Sequence, residues 1–307
     1  MTDEEFLLQD RLTKIRSVFH KYGQDKFYIS FSGGKDSCVL SELIDMAVPD
    51  NQIPRVFADT GIELNIIRDF VRERVAKDDR FQMIKPSVPI KKMLEEKGYP
   101  FKSKNHSYWV AKYQDNGCSL EGKAGLQKYV SGYYKNKNGY KSSDNCPNKL
   151  MYQFTPDFNI KISDRCCTEL KEVPLTKWQK ENHKPVAISG IMQAEGGRRK
   201  SAVCMYFSHK KLKAFHPLAV VTKEWEEWFI NEYNVEICDI YKPPYNFKRT
   251  GCKGCPFTLD LQQNLDILQK YFPNERKQCE VIWKPIYDEY RRLGFRLTKK
   301  PNGKELF

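Results

Sequence analysis

A chain of 307 residues, 40% hydrophobic and 13% aromatic, can bury a sizeable core as one large domain carrying an insertion or a tail. No apolar run approaches the ~20 residues that cross a bilayer, and the acidic start Met1-Thr2-Asp3-Glu4-Glu5 lacks the basic and apolar stretches of a secretory signal, so no membrane partner and a cytoplasmic setting are expected. Fifty-two Lys and Arg against 39 Asp and Glu leave a net charge of +13, which favours a polyanionic partner: a nucleotide, a nucleic acid or an acidic protein face.

In chain order, residues 27–31 (Phe-Tyr-Ile-Ser-Phe) form a β-branched and aromatic run that stops at Gly33-Gly34. Val39, Leu40, Leu43, Ile44 and Ala47 then repeat at helical spacing, which predicts strand, tight turn and helix. A second strand over 55–58 leads into Asp59-Thr60-Gly61 and a helix burying Leu64, Ile67, Phe70, Val71 and Val75; a third strand covers 81–84 and a later one 186–189. Strands alternating with helices predict an α/β fold, a parallel twisted sheet flanked by helices with ligands at the carboxyl ends of its strands. Residues 101–161 break this rhythm and read as a basic insertion, with Tyr108, Trp109, Tyr113, Tyr129, Tyr133, Tyr134 and Tyr140 interleaved with lysines. That mixture suits base stacking and phosphate contact, or equally a solvated cap with its own small core. Helices are expected over 259–269 and 276–292, the second interrupted at Pro285. The division expected is a main domain over 1–258, including the insertion, and a helical extension over 259–307.

A strand feeding Ser32-Gly33-Gly34-Lys35-Asp36-Ser37 and then a helix has a direct use. Glycines let the backbone approach phosphate, amides and the helix N-terminus face negative charge, Lys35 adds a formal charge, and Ser32 and Ser37 add hydroxyl donors. The G-x-x-x-x-G-K-[ST] spacing is absent, which disfavours γ-phosphate transfer. Of ten cysteines, Cys166-Cys167 and Cys252-x-x-Cys255 form two close pairs whose thiolates suit an iron–sulfur cluster or tetrahedral zinc. Cys38, Cys118, Cys146, Cys204, Cys238 and Cys279 have no partner at ligand spacing, and five histidines are too few for a His-rich centre.

The loop resembles that of the PP-loop superfamily, whose members cut ATP between its α and β phosphates. The succession Asp59-Thr60-Gly61, Cys166-Cys167 with Lys171, Pro174 and Leu175, Gly190-Ile191, His216-Pro217-Leu218 and Gly251-Cys252-Lys253-Gly254-Cys255 is similar to the phosphoadenosine phosphosulfate (PAPS) reductase family, from about residue 26 to 258 outside the insertion. The resemblance implies that Ser32, Gly33, Gly34, Lys35, Asp36 and Ser37 bind ATP, with Lys35, Asp36 and Asp59 catalytic. It puts Asp59 beside the adenosine or a phosphate-bound Mg²⁺, although helix capping is the plainer use of that residue. Gly190 would close the nucleotide pocket, Arg198 would meet phosphate or sulfate, and Cys166, Cys167, Cys252 and Cys255 would hold a [4Fe–4S] cluster in preference to zinc. Met192 stands where the family commonly has an Arg, and residues 280–307 lack the Cys and His of the reductase's terminal nucleophile segment. The expected activity is therefore ATP-dependent adenylation coupled to sulfur transfer on a nucleic acid, as in the DNA phosphorothioation proteins of the family, with a cysteine desulfurase or other sulfur donor as partner; tRNA base thiolation would use the same parts. The alternatives are a sulfonucleotide reductase and a non-catalytic nucleotide-binding subunit.

Overall fold

The computed structural model describes residues 1–132 and 145–298, the Arg198 side chain excepted. Helix α1 (Asp3–Tyr22) begins with a capping box in which Thr2 and Glu5 satisfy each other's amides, and it buries Leu8, Leu12, Ile15, Val18 and Phe19. There follow β1 (Phe27–Phe31), α2 (Lys35–Ala47), β2 (Arg55–Ala58), α3 (Asn65–Lys77) and β3 (Phe81–Ile84). Next come α4 (Ile90–Lys97), α5 (Lys104–Asp115), α6 (Ala124–Ser131), α7 (Val173–Glu181) and β4 (Val186–Ile188). The remaining elements are β5 (Met205–Ser208), β6 (Lys211–Phe215), α8 (Lys223–Glu232), α9 (Leu261–Tyr271), α10 (Pro273–Ile282) and α11 (Lys284–Leu293).

The sheet runs β3-β2-β1-β4-β6-β5. Its first five strands are parallel, with Ile29 opposite Arg55 and also opposite Ile188, so both neighbours of β1 are fixed in register. The chain leaves β1 toward β2 and β3 on one side and returns as β4 on the other. The carboxyl ends of β1 and β4 thus flank the switch point where such sheets collect ligands. Because both faces of β1 and β2 are covered, residues 27–31 and 55–58 are almost wholly apolar and buried.

The edge strand β5 pairs antiparallel with β6, which the alternating pattern did not foresee. Its turn residues His209 and Lys210 both take positive φ (48° and 62°), the two-residue geometry matched to strand twist, without the Asn or Gly that announces it in sequence. The break foreseen near Pro285 falls between α10 and α11, where that proline occupies the first turn of the new helix.

Two compact units emerge: residues 1–87 with 171–250, and residues 88–170 with the chain from 251 onward. The first holds the sheet. The second packs an aromatic core of its own: Phe101 meets Tyr290 edge-on at 4.9 Å, and His106 sits among Phe101, Tyr129 and Phe154. The buried His106 ring is bonded on both nitrogens, to Tyr129 Oη at 2.8 Å and Gln153 Oε1 at 2.6 Å, and burial pushes its pKa down to about 4. No helix among the described residues is long and apolar enough to cross a membrane.

Candidate active site

The loop after β1 holds its own shape. Gly33 takes φ +69°, and a β-carbon there would lie 2.9 Å from Ile67 and 3.0 Å from Val71 of α3, so conformation and packing both demand glycine. Ser37 Oγ donates to the Gly34 carbonyl at 2.7 Å and lies 3.1 Å from Ser32 Oγ, while the Gly34 amide donates to Ser32 Oγ at 3.2 Å. The serines foreseen as phosphate donors thus also lock the turn. Gly34 caps α2 with extended backbone, leaving the first-turn amides at a helix N-terminus where anions bind. At the end of β4, Gly190 faces the same turn: a β-carbon there would meet the Asp36 carbonyl oxygen at 2.8 Å. The sequence-derived set Ser32 to Ser37 and Gly190 is therefore one contiguous surface at the switch point.

Lys35 is the only member of that set with a formal positive charge, and its partner is one the sequence did not reveal. Its Nζ lies 2.8 Å from Glu226 Oε2 of α8, a carboxylate with no solvent exposure, while Lys35 itself retains 20%. Burial opposes the ammonium, but the hydrogen bond and charge of Glu226 and the charges of Asp36 and Glu227 hold its pKa above the lysine norm. The Glu226 carboxyl is pushed up to about 8, first by burial, then by the charge of Asp36 and a hydrogen bond with it, against the pull of Lys35. Tyr241 also comes to the loop: its hydroxyl would stand 3.4 Å from a β-carbon on Gly34, and it is bonded to Thr250 Oγ1. Neither Glu226, on an amphipathic helix, nor Tyr241, in a short 3₁₀ turn, carries a motif that would single it out.

Asp59 ends β2, nearly buried, with Oδ1 accepting the Gly61 amide at 3.1 Å. Beside it the buried Glu63 accepts from the Thr60 amide and hydroxyl and pairs with Lys171 Nζ at 3.3 Å. Lys171 is thus tied to the Asp59-Thr60-Gly61 turn, and Glu63 joins the site as a residue the motif reading passed over. His216 Nδ1 lies 2.8 Å from Ser189 Oγ at the end of β4, and burial lowers its pKa. Arg198 sits in the 3₁₀ turn Gly197–Ser201; Glu195, ahead of it, pairs with Arg199 and with Arg249 at 2.6 Å.

The four predicted cysteine ligands all fall in the second unit. The Cys166 thiol is held well above the ordinary range by its hydrogen bond with Cys167, by burial, and by the charges of Cys167, Cys255 and Cys252, so the four thiols lie near enough to one another to interact electrostatically. An all-thiol donor set suits a soft, thiolate-bound group whose cations would offset that accumulated charge. Among the described residues no three Cys, His, Asp or Glu side chains form a group that could hold a metal ion. The Cys252–Cys255 turn is braced instead by aromatic donors: Trp283 Nε1 to the Lys253 carbonyl at 2.9 Å, Tyr287 Oη to that of Gly254, and Tyr290 Oη to that of Pro256 at 2.9 Å. Lys253 is buried in an ion pair with Glu275 at 2.9 Å and bonds Gln278 Oε1 at the same distance. Cys279 is fully buried, and burial pushes its thiol up to about 12, the opposite of an exposed nucleophilic thiolate.

The insertion divides the aromatic residues foreseen for stacking. Tyr113 and Tyr129 belong to the core of the second unit and Trp109 stacks on Tyr129 at 5.7 Å, whereas Tyr108 is 40% exposed. Burial removes Tyr113 and Tyr129 as base platforms. Tyr133, Tyr134, Tyr140, Lys135, Lys137 and Lys141 lie outside the described residues.

No family model matches the chain. A stretch of 135 residues is 30% identical to an uncharacterized protein of Methanocaldococcus jannaschii, covering 41% of this chain and 30% of that protein. A stretch of 62 residues is 40% identical to a glutamine-hydrolyzing GMP synthase of Thermosipho africanus, covering 20% of this chain and 11% of the synthase. The chain therefore spans less than a third of each curated relative it matches. Among solved structures it is similar to a PAPS reductase from Candida auris in a phosphate complex (12% identity, 80% of this chain, 95% of the other, TM-score 0.42). It is also similar to an NH₃-dependent NAD synthetase from Campylobacter jejuni (11%, 99% and 100%, 0.39) and to a U34-tRNA thiolase from Methanococcus maripaludis with its [4Fe–4S] cluster (12%, 92% and 80%, 0.37).

Proposed function

We propose that the chain is a PP-loop ATP pyrophosphatase of the PAPS reductase family that adenylates an acceptor for sulfur transfer, the acceptor being a nucleic acid as in DNA phosphorothioation. The observation that carries this reading is the self-locked glycine turn at the N-terminus of α2, on the carboxyl edge of the sheet between β1 and β4, with Lys35 at its rim. The partial identity to a GMP synthase supports a nucleotide substrate.

In this mechanism the ATP phosphates lie on the amides of residues 33–37, with Asp59 offering a hard oxygen donor to the accompanying Mg²⁺. An acceptor phosphate oxygen attacks the α-phosphorus; the α–β bridging bond breaks and pyrophosphate departs with the charge that Lys35 neutralises. Sulfide, released from a donor protein's persulfide (that of a cysteine desulfurase, for example) by a thiol reductant that is oxidised to a disulfide, then attacks the adenylated acceptor phosphorus, forming the phosphorus–sulfur bond as the bond to AMP breaks and AMP leaves. A [4Fe–4S] group held by Cys166, Cys167, Cys252 and Cys255 would supply redox or sulfur-handling chemistry. The buried Cys279 speaks against the sulfonucleotide reductase alternative, which needs an exposed thiolate.

The acceptor is tested by measuring pyrophosphate release and binding with single- and double-stranded DNA and RNA. A nucleic-acid acceptor stimulates turnover, and its affinity falls with salt at a slope of roughly −0.7 to −0.9 per phosphate contact. No salt-dependent binding to any of the four, with or without ATP, removes the nucleic-acid acceptor and favours a small molecule.

A further inference from the structure

The buried carboxyl of Glu226 is the feature of the first unit that the mechanism leaves unused. It sits on α8 with no solvent exposure, its Oε2 2.8 Å from the Lys35 ammonium and its carboxyl crowded by Asp36. An ionised acid there is costly, because it is removed from water and lies beside Asp36. The charged groups facing it are Lys35 and Asp36 from α2, with Glu227 of its own helix acting on Lys35. On the far side, Trp225 Nε1 donates to the Glu4 carbonyl of α1, which anchors the first turn of α8 and leaves Glu226 little freedom to swing out.

A triphosphate on this loop adds several negative charges next to a carboxyl already crowded by Asp36. It also draws Lys35 toward the phosphates, weakening the ion pair that stabilises an ionised Glu226. We propose that Glu226 is a positioning residue for the phosphate loop, aiming Lys35 at the nucleotide while itself held as a neutral acid, so that nucleotide binding requires or takes up a proton on Glu226. This rests on the reading of residues 32–37 as a nucleotide site.

With the free-protein carboxyl titrating at about 8, the consequence lies above neutrality. The bound state raises that pKa further, so affinity is full below pH 8 and is lost as pH rises through 8. Between pH 7 and pH 9 the fraction of free protein carrying the proton falls about tenfold, and affinity falls by the same factor. Lys35 keeps its ammonium throughout this window, because the charges of Asp36 and Glu227, and in the bound state those of the phosphates, favour the charged form.

The test is isothermal calorimetry of α,β-methylene ATP, which cannot be cleaved at the reacting bridge, at pH 7, 8 and 9 in two buffers of different ionisation enthalpy. The expected results are an affinity about tenfold weaker at pH 9 than at pH 7, and proton uptake that grows over the same range. Glu226→Gln, which fixes the neutral form, should flatten the ratio of affinities toward one; a merely structural role would shift both values and leave the ratio. Binding by the wild-type protein that is equally tight at pH 7 and 9, with no proton taken up, overturns the proposal even if the variant fails to fold. No binding at any pH overturns instead the nucleotide reading beneath it.

Discussion

The phosphate loop and the cysteine locus are built in opposite ways. The loop is closed by hydrogen bonds among Ser32, Gly34 and Ser37, within six consecutive residues, and its glycine is dictated by two side chains of the next helix. The cysteine locus joins Cys166-Cys167 to a turn beyond residue 251, and what fixes that turn is three aromatic donors from the Trp283 junction and α11. The first can form as soon as its strand and helix do; the second needs the C-terminal helices docked within its own unit. Local closure makes a site readable from sequence, while long-range closure leaves only its ligands visible.

The sharpest way to break that contrast is to remove the single positive charge of the loop. Lys35→Ala should lower ATP turnover by about 100-fold or more, on the order of 3 kcal/mol of transition-state stabilisation. The thermal stability of the second unit, and the metal content expected there on the proposed reading, should not follow; steady-state pyrophosphate release, thermal melting and metal analysis on one preparation check both halves.

The second unit should lose stability in acid through a buried imidazole of its own. His106 is buried neutral with its pKa at about 4 against 6.5 for an unfolded histidine, so the unfolded chain binds the extra proton between those values. Stability is therefore full above pH 6.5 and declines as pH falls toward 4, by on the order of 3 kcal/mol from this group. Urea titrations at pH 7 and pH 4.5 should show the loss, and a variant lacking the imidazole, His106→Gln, should show less of it.

Smaller effects grade the brace around the cysteine turn. Gly254 has φ +60°, and a β-carbon there would crowd Cys279 Sγ at 2.8 Å as well as the Tyr287 hydroxyl, so Gly254→Ala should cost about 1–3 kcal/mol of stability. Tyr287→Phe removes only the bond to the Gly254 carbonyl and should cost about 1 kcal/mol, with faster loss of bound metal to a chelator while ATP binding is unaffected. At the bottom of the scale, Lys284→Ala breaks an exposed pair with Asp288 and should change stability by less than about 0.5 kcal/mol. Equal effects from Tyr287→Phe and Lys284→Ala would mean that the brace contributes nothing.

The same distinction explains what the sequence disclosed. The strands at 27–31, 55–58 and 81–84 and the glycine turn were legible because continuous apolar runs and local turn chemistry encode them. Glu226 and Glu63 were hidden, since a polar residue on an amphipathic helix or in a loop looks solvated until tertiary packing buries it, and Tyr241 because only the fold brings its turn to the loop. The β5–β6 hairpin was missed because His209 and Lys210 adopt left-handed backbone without a residue that advertises it. In the insertion, interleaved Tyr and Lys suggested a stacking surface, yet the α5 and α6 residues Tyr113 and Tyr129 face inward at helical spacing and build a core.

The central claim concerns which bond of ATP is cut, and phosphorus NMR of the turnover mixture addresses it most directly. The account predicts AMP and pyrophosphate in equal amounts from the wild-type protein, and neither from Lys35→Ala above background. ADP and inorganic phosphate as the main products would contradict it.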